Sequence, residues 1–349
     1  MSAVRRMDFN FQFSVYICKP TSTGPHFKLI AVPPSPLPVR QAGFTFQLYK
    51  TYSILKRYQY MVIKQTFTLS GANDKPISVD LTYKSGNDTA PIVVFVHGFK
   101  GFKDWGTHNM VADYFVAHGL RYLKFNFSHN GTTPESPQDF VDLGAFGDNT
   151  FTKEFEDLDK VITFVNSGDE FPAPVSLTLI GHSRGGGICI IQTANDHRVD
   201  KLITWASIAD FNSLWKAEDV AEWRKKGVIY NFNTRTKQYT PLKIDLLHDL
   251  EKHAKSYDIL AGAERVGKPW LIIQGDEDIN VDLEQAKELQ KRSKDAELFV
   301  VTHADHVFGS EHPYTKDNLP LALQLVCEKS IEFCFAPLAR TTGHDSNSE

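Results

Sequence analysis

The sequence predicts an α/β architecture: a mostly parallel central sheet, helices on both faces and one long insertion. Three observations carry this expectation. Short apolar runs alternate with longer stretches of helical periodicity, the pattern of strands buried on both faces. A serine boxed by glycines, LIGHSRGGG at 179–187, lies between one such run and the helical stretch after it. Two later apolar runs each end in a loop bearing acids or histidines, and right-handed crossovers bring such loops to one edge of the sheet. At 349 residues, 42% hydrophobic and with 25 Phe, the chain can bury a sizeable core.

The first sixty residues stand apart. They hold eight Lys or Arg against one acid, Asp8, while the remainder holds 30 against 41. FNFQFSVYI alternates like a strand, and VPPSPLPV excludes regular structure because its prolines lack amide donors. Few acids, with Arg5, Arg6 and Arg40, give a faint organelle-targeting character, and no apolar run after Arg5 and Arg6 makes a secretory signal. The composition changes at Met61, so residues 1–60 read as a leader or a misassigned start, and residues 338–349 as a disordered polar tail.

From Met61 the elements follow in order. VIKQTFTLS and ISVDLTYK flank GANDKP and predict a hairpin. Strands are expected at PIVVFVHG, YLKFNFS, SLTLIGHS, LITWASI, PWLIIQGD and ELFVVTHA. Helices are expected near Met110–His118, Lys153–Asn166, Gly186–Asp196 and Asp282–Ser293, with a last one at LPLALQLVCEKSIEF. The rhythm breaks at 211–262, an insertion of lid size containing a candidate hairpin, VIYNFNTRTKQYTP.

Several function classes are excluded or disfavoured. The net charge of −4 and the acidic body give no electrostatic ground for nucleic acid. No apolar run has the length of a membrane span. Cys18, Cys189, Cys327 and Cys334 do not form a disulfide framework: Cys327 and Cys334 are two helical turns apart, roughly 10 Å. Buried free thiols in a reducing, cytoplasmic setting are expected.

The chemistry centres on Ser183. Gly181-His182-Ser183-Arg184-Gly185 fits G-x-S-x-G, and its place between a strand and a helix gives the motif weight. Flanking glycines permit the sharp turn that lifts a nucleophilic hydroxyl clear of the sheet. A serine needs a base, and the base an orienter. The loop DEDINV offers Asp276 or Asp278, and HADHVF offers His303 or His306. Together these four could also ligate a metal, which would leave Ser183 unexplained, so no metal and no cofactor is expected. Two amides should form the oxyanion hole: Arg184, after the nucleophile, and Phe99, in HGFKG after an earlier strand. His182, one residue before the serine, is expected to point away from the elbow.

HGF, GHSRGG, GDEDINV and ADHVF resemble the corresponding motifs of the alpha/beta-hydrolase superfamily over about residues 61–337. The resemblance implies Asp278 as the acid, three residues after Gly275, and His306 as the base, after Asp305. More narrowly, the chain is similar to the dienelactone-hydrolase-like and cinnamoyl (feruloyl) esterase-like branch. That likeness implies that the insertion is a lid and that NFSHNGTTPESP, with His129, lines an acyl or alcohol pocket. In the insertion, Trp215, Trp223, Tyr230, Phe232 and Tyr239 are either a stacking surface for an aryl or acyl group or anchors on the sheet. The expected activity is carboxylic ester hydrolysis of a small-molecule substrate. Its rivals are an acyl-peptide peptidase, an acyltransferase and a non-catalytic binding protein. A homodimer is compatible with this reading.

Overall fold

The structure is a computed structural model that describes residues 61–233 and 236–337, and the backbone of the strand residues 5–8 and 14–17. The chain divides into two compact units at Gln59. In the first, β1 (Arg5–Asp8) pairs antiparallel with β2 (Ser14–Ile17), Arg5 opposite Ile17. The expectations for the rest of 1–60, and for the tail at 338–349, fall outside the described residues.

In the second unit, β3 (Val62–Ser70) and β4 (Pro76–Lys84) form the expected hairpin, Ser70 opposite Pro76. β3 alternates exposed and half-buried residues along its length, as an edge strand must. The chain continues through β5 (Ile92–Val96), β6 (Arg121–Asn126), β7 (Leu177–His182) and β8 (Lys201–Trp205). A separate hairpin, β9 (Val228–Asn233) and β10 (Gln238–Lys243), precedes β11 (Trp270–Gly275) and β12 (Ala296–Val301). The main sheet has the order β12-β11-β8-β7-β5-β6-β4-β3. All neighbours in it are parallel except those of β4, which runs against the rest.

The central strands β5, β6, β8 and β11 are buried at every position, because helices cover both faces. On one face lie α1 (His108–Ala117) and α9 (Leu321–Phe335), packing Val111, Phe115, Leu323 and Val326 into one apolar cluster. The other face carries the cluster packed by α3 (Phe151–Ser167) and α4 (Arg184–Asn195), to which α8 (Leu283–Arg292) adds Ala286 and Leu289. The short α2 (Leu143–Gly147) precedes α3. The helix after β5 and the helix after β7 therefore leave toward opposite faces. That divergence opens a crevice where β5 and β7 end, the place where such sheets bind ligands.

The segment 211–262 builds its own elements between β8 and β11: α5 (Ala217–Lys226), the β9–β10 hairpin, α6 (Asp245–Lys252) and the start of α7 (Ile259–Arg265). Its aromatic residues divide into two sets. Trp223 is fully buried, Trp215 stacks on it at 5.3 Å between ring centroids, and Phe211 packs on Phe151 at 4.2 Å. These rings anchor the segment to the core. On the hairpin, Tyr230, Phe232 and Tyr239 lie on an exposed face, while Thr240 and Leu242 are buried on the opposite one.

Candidate active site

Ser183 sits at the junction of β7 and α4 with φ 56° and ψ −121°, a left-handed backbone that a serine adopts only where its surroundings enforce it. Its amide donates to the Trp205 carbonyl (2.9 Å), and its own carbonyl accepts from the Gly186 amide (3.0 Å). The flanking glycines are sterically required. A Cβ on Gly181 would lie 2.4 Å from the Gly185 oxygen, and one on Gly185 would lie 2.4 Å from the Val96 oxygen. Gly185 thus makes room for the neighbouring strand β5 and the loop after it.

That loop carries Phe99. A Cβ on Gly98 would meet Ser183 Cβ at 3.0 Å, so the HGF turn runs directly against the serine. Among the described residues the Phe99 and Arg184 amides donate to no turn or loop carbonyl. The loop is tied down by three buried charges, Lys103, Asp104 and Lys124, and the half-buried Asp80. Lys103 bridges Asp80 (2.5 Å) and Asp104 (2.7 Å), and Lys124 bridges the same two carboxylates.

The Arg184 side chain turns away from the serine. It pairs with buried Glu154 and stacks over the Phe99 ring at 4.9 Å. It thereby packs against the residue that follows Gly98 in the HGF turn.

The structure separates the competing acids and histidines. Asp278 is buried, and its Oδ2 lies 2.8 Å from His306 Nδ1. Gln274 Nε2 donates to the same oxygen (2.9 Å), while the Asn280 and Val281 amides donate to Oδ1 (2.8 and 2.9 Å). Burial alone would raise the Asp278 carboxyl. The hydrogen bond and charge of His306 and the two amides outweigh it and hold the group below the usual carboxylate range. Asp276, by contrast, is exposed and accepts from the His303 amide (2.6 Å). The His303 ring is 82% exposed and faces Glu277 at 2.8 Å. Among the described residues no group of three His, Cys, Asp or Glu side chains could hold a metal ion.

His306 and Ser183 line one cavity of about 260 Å³. Among the described residues no hydrogen bond joins Ser183 Oγ to His306; the link that is formed is His306 to Asp278. His182 departs from expectation. Its Nε2–H donates to the His306 carbonyl (2.9 Å), and the two rings lie 4.9 Å apart. Burial, then the nearby His306 charge, push its pKa down to about 3, so the ring stays neutral and keeps donating. The motif gave no signal for this contact, because its partner is 124 residues away. Gln274 was missed too, as the last but one residue of an apolar strand.

The three expected substrate contacts lie away from the cavity. His129 is buried behind the Phe99 loop, its Nδ1 2.8 Å from Ser128 Oγ, beside a space of about 10 Å³ shared with Arg184 and Asn149. That space has room for one water. Trp215 packs on the core because its ring stacks on Trp223. Tyr230 lies in a separate open groove with Tyr239 and Pro241, because the hairpin turns that face outward.

Residues 128–319 match the model of the prolyl oligopeptidase family. The chain belongs to that family. The matched stretch includes the serine elbow and both late loops. A search of curated protein sequences gives no match. Among solved structures, this member of the prolyl oligopeptidase family is similar to a putative hydrolase from Agrobacterium vitis S4. The TM-score is 0.59 at 18% identity, covering 78% of this chain and 99% of that one. It is similar to Est1E from Butyrivibrio proteoclasticus with ferulic acid bound (TM-score 0.57, 18% identity, 76% of this chain and 97% of that one). It also resembles dienelactone hydrolase from Anabaena variabilis (TM-score 0.50, 16% identity, 80% of this chain and 100% of that one). The fold is that of the alpha/beta hydrolases. No helix among the described residues is long and apolar enough to cross a membrane.

Proposed function

We propose that the chain is a serine hydrolase of carboxylic esters, with Ser183 as nucleophile, His306 as base and Asp278 as its orienter. One observation carries the reading: a serine on a strained turn shares a cavity with a histidine whose far nitrogen is paired with a buried carboxylate. Ser183 Oγ attacks the ester carbonyl carbon and its proton passes to His306 Nε2. The carbonyl oxygen, now negative, accepts from the Phe99 and Arg184 amides. When the intermediate collapses, the alkoxide leaves with the proton from His306. Water then repeats the cycle on the acyl-enzyme and releases the acid. Asp278 keeps the His306 tautomer with Nδ1 protonated and stabilises the imidazolium. Substrate is expected to tighten the Ser183–His306 hydrogen bond, as catalytic hydrogen bonds commonly do in the reacting complex.

The test is hydrolysis of p-nitrophenyl esters and of hydroxycinnamoyl esters, the latter prompted by the ferulic acid held by Est1E. Peptidyl amides serve as the comparison, prompted by the family name. Ester turnover that vanishes in Ser183→Ala supports the reading. Turnover of amides alone, or full ester activity in Ser183→Ala, removes it.

A further inference from the structure

The cavity at Ser183 leads away from the insertion. None of the described residues of 211–262 lines it. Its walls come from the loop after β5, from α1, from the end of β8, from the histidine loop and from the start of α9. Phe95, Val111, Trp205 and Leu323 belong to the core cluster on the α1/α9 face, each at most 4% exposed, so they form the inner wall. Among the described residues no carboxylate lines the space, and Lys100, exposed, is the sole Lys or Arg. Three imidazoles besides His306 border it, and each already has a partner. The Nδ1 atoms of His97 and His108 meet the Gly98 and Phe102 carbonyls at 2.9 and 3.2 Å, and His182 donates to His306. At about 260 Å³ the space is small beside ligand pockets of roughly 300–1,000 Å³.

Resting on the ester-hydrolase reading above, we propose that this cavity is the specificity pocket of the enzyme. It takes a compact, uncharged substituent of the ester, and Val111 on α1 and Leu323 on α9 set how far that substituent reaches. The insertion plays no part in that limit. A charged end would meet the apolar inner wall of Phe95, Val111, Trp205 and Leu323, which supplies no counter-charge, and leaving water there is costly. Once the wall is reached, each further methylene must displace packed core, and one methylene in such a pocket changes kcat/KM by roughly 10–200-fold. The substituent can belong to the acyl or the alcohol side of the ester, and matched series distinguish the two.

The experiment measures kcat/KM, normalised by fluorophosphonate titration of active sites. One series is p-nitrophenyl esters of lengthening acyl chains, the other acetates of lengthening alcohols, each with an analogue ending in a carboxylate. The full chain is expected to show a sharp length limit in one series and at least a hundredfold penalty for the anionic analogue. Leu323→Ala should move that limit outward by about two carbons and Val111→Phe inward. Tyr230→Ala should leave it in place. If Val111→Phe fails to fold, Leu323→Ala, which only removes atoms, still decides. Turnover without a limit, a limit unmoved by Leu323→Ala, a limit moved by Tyr230→Ala, or equal acceptance of the anionic analogue overturns the proposal alone. No turnover in either series overturns the ester reading, and this proposal with it.

Discussion

The rim around Ser183 and the insertion at 211–262 are built on opposite principles. At the rim, side chains from three distant stretches of sequence are brought to one edge by parallel strands. Asp278 alone receives His306, Gln274 and two backbone amides. The insertion makes its hairpin from its own residues and fastens itself through Trp223 and Phe211, leaving Tyr230 and Tyr239 outside. Aromatic content marks the insertion, whereas polar side chains converging from distant stretches mark the rim. Only the second points to chemistry.

The comparison is broken most severely by substitution at the rim. Asp278→Asn should lower kcat by roughly 10⁴-fold, since the Asn280 and Val281 amides would hold the new carbonyl oxygen and its NH2 would face His306 Nδ1, fixing the wrong tautomer. Asp276→Asn should change kcat less than twofold. Steady-state kinetics on a p-nitrophenyl ester compares the two, and equal losses would show that the late acid is misassigned. In the insertion the large effect should fall on stability. Trp223→Ala should destabilise by about 3–5 kcal/mol in urea unfolding, through the cavity left in the core. Tyr230→Ala should cost about 0.5 kcal/mol or less.

The rim should also be the acid-sensitive region. Burial, the largest influence, drops His97 to about 4, and His182 lies at about 3, both below the unfolded value of 6.5. Between pH 6.5 and about 4 the unfolded chain binds protons that the folded chain refuses. The stability these groups contribute is therefore full above pH 6.5 and is lost as pH falls through that window. His97 alone should contribute about 3 kcal/mol, read from urea midpoints at pH 7.5 and 4.5. Midpoints that do not move would contradict buried neutral imidazoles.

The smallest effect sharpens the role of His182. His182→Phe should lower kcat about three- to tenfold with KM unchanged, the worth of one hydrogen bond that positions the His306 loop. His182→Gln, which keeps a donor, should recover most of the loss. Failure of Gln to rescue would reduce His182 to packing.

Much of this was legible in the sequence because it is periodic or local. Apolar runs located six strands of the main sheet and alternation the β3–β4 hairpin, and the serine motif located the elbow because only glycine tolerates backbone contacts of 2.4 Å. The β9–β10 hairpin falls within the candidate VIYNFNTRTKQYTP. The choice of Asp278 over Asp276 needed a family resemblance, since both acids follow the same strand and differ only in the direction the turn gives them. What stayed illegible depends on partners far along the chain. Arg184 finds Glu154 thirty residues earlier, and His182 finds the His306 carbonyl. Tryptophans that anchor an insertion read the same as tryptophans that bind a ligand, so Trp215 and Tyr230 could not be placed from composition.

The most direct test of the convergence at Ser183 is the rate and site of fluorophosphonate labelling, followed by intact mass and peptide mapping. The account predicts a single adduct on Ser183, slowed by orders of magnitude in His306→Ala and Asp278→Asn and unaffected in His303→Ala. An adduct elsewhere, or labelling of Ser183 that is indifferent to His306, would contradict it.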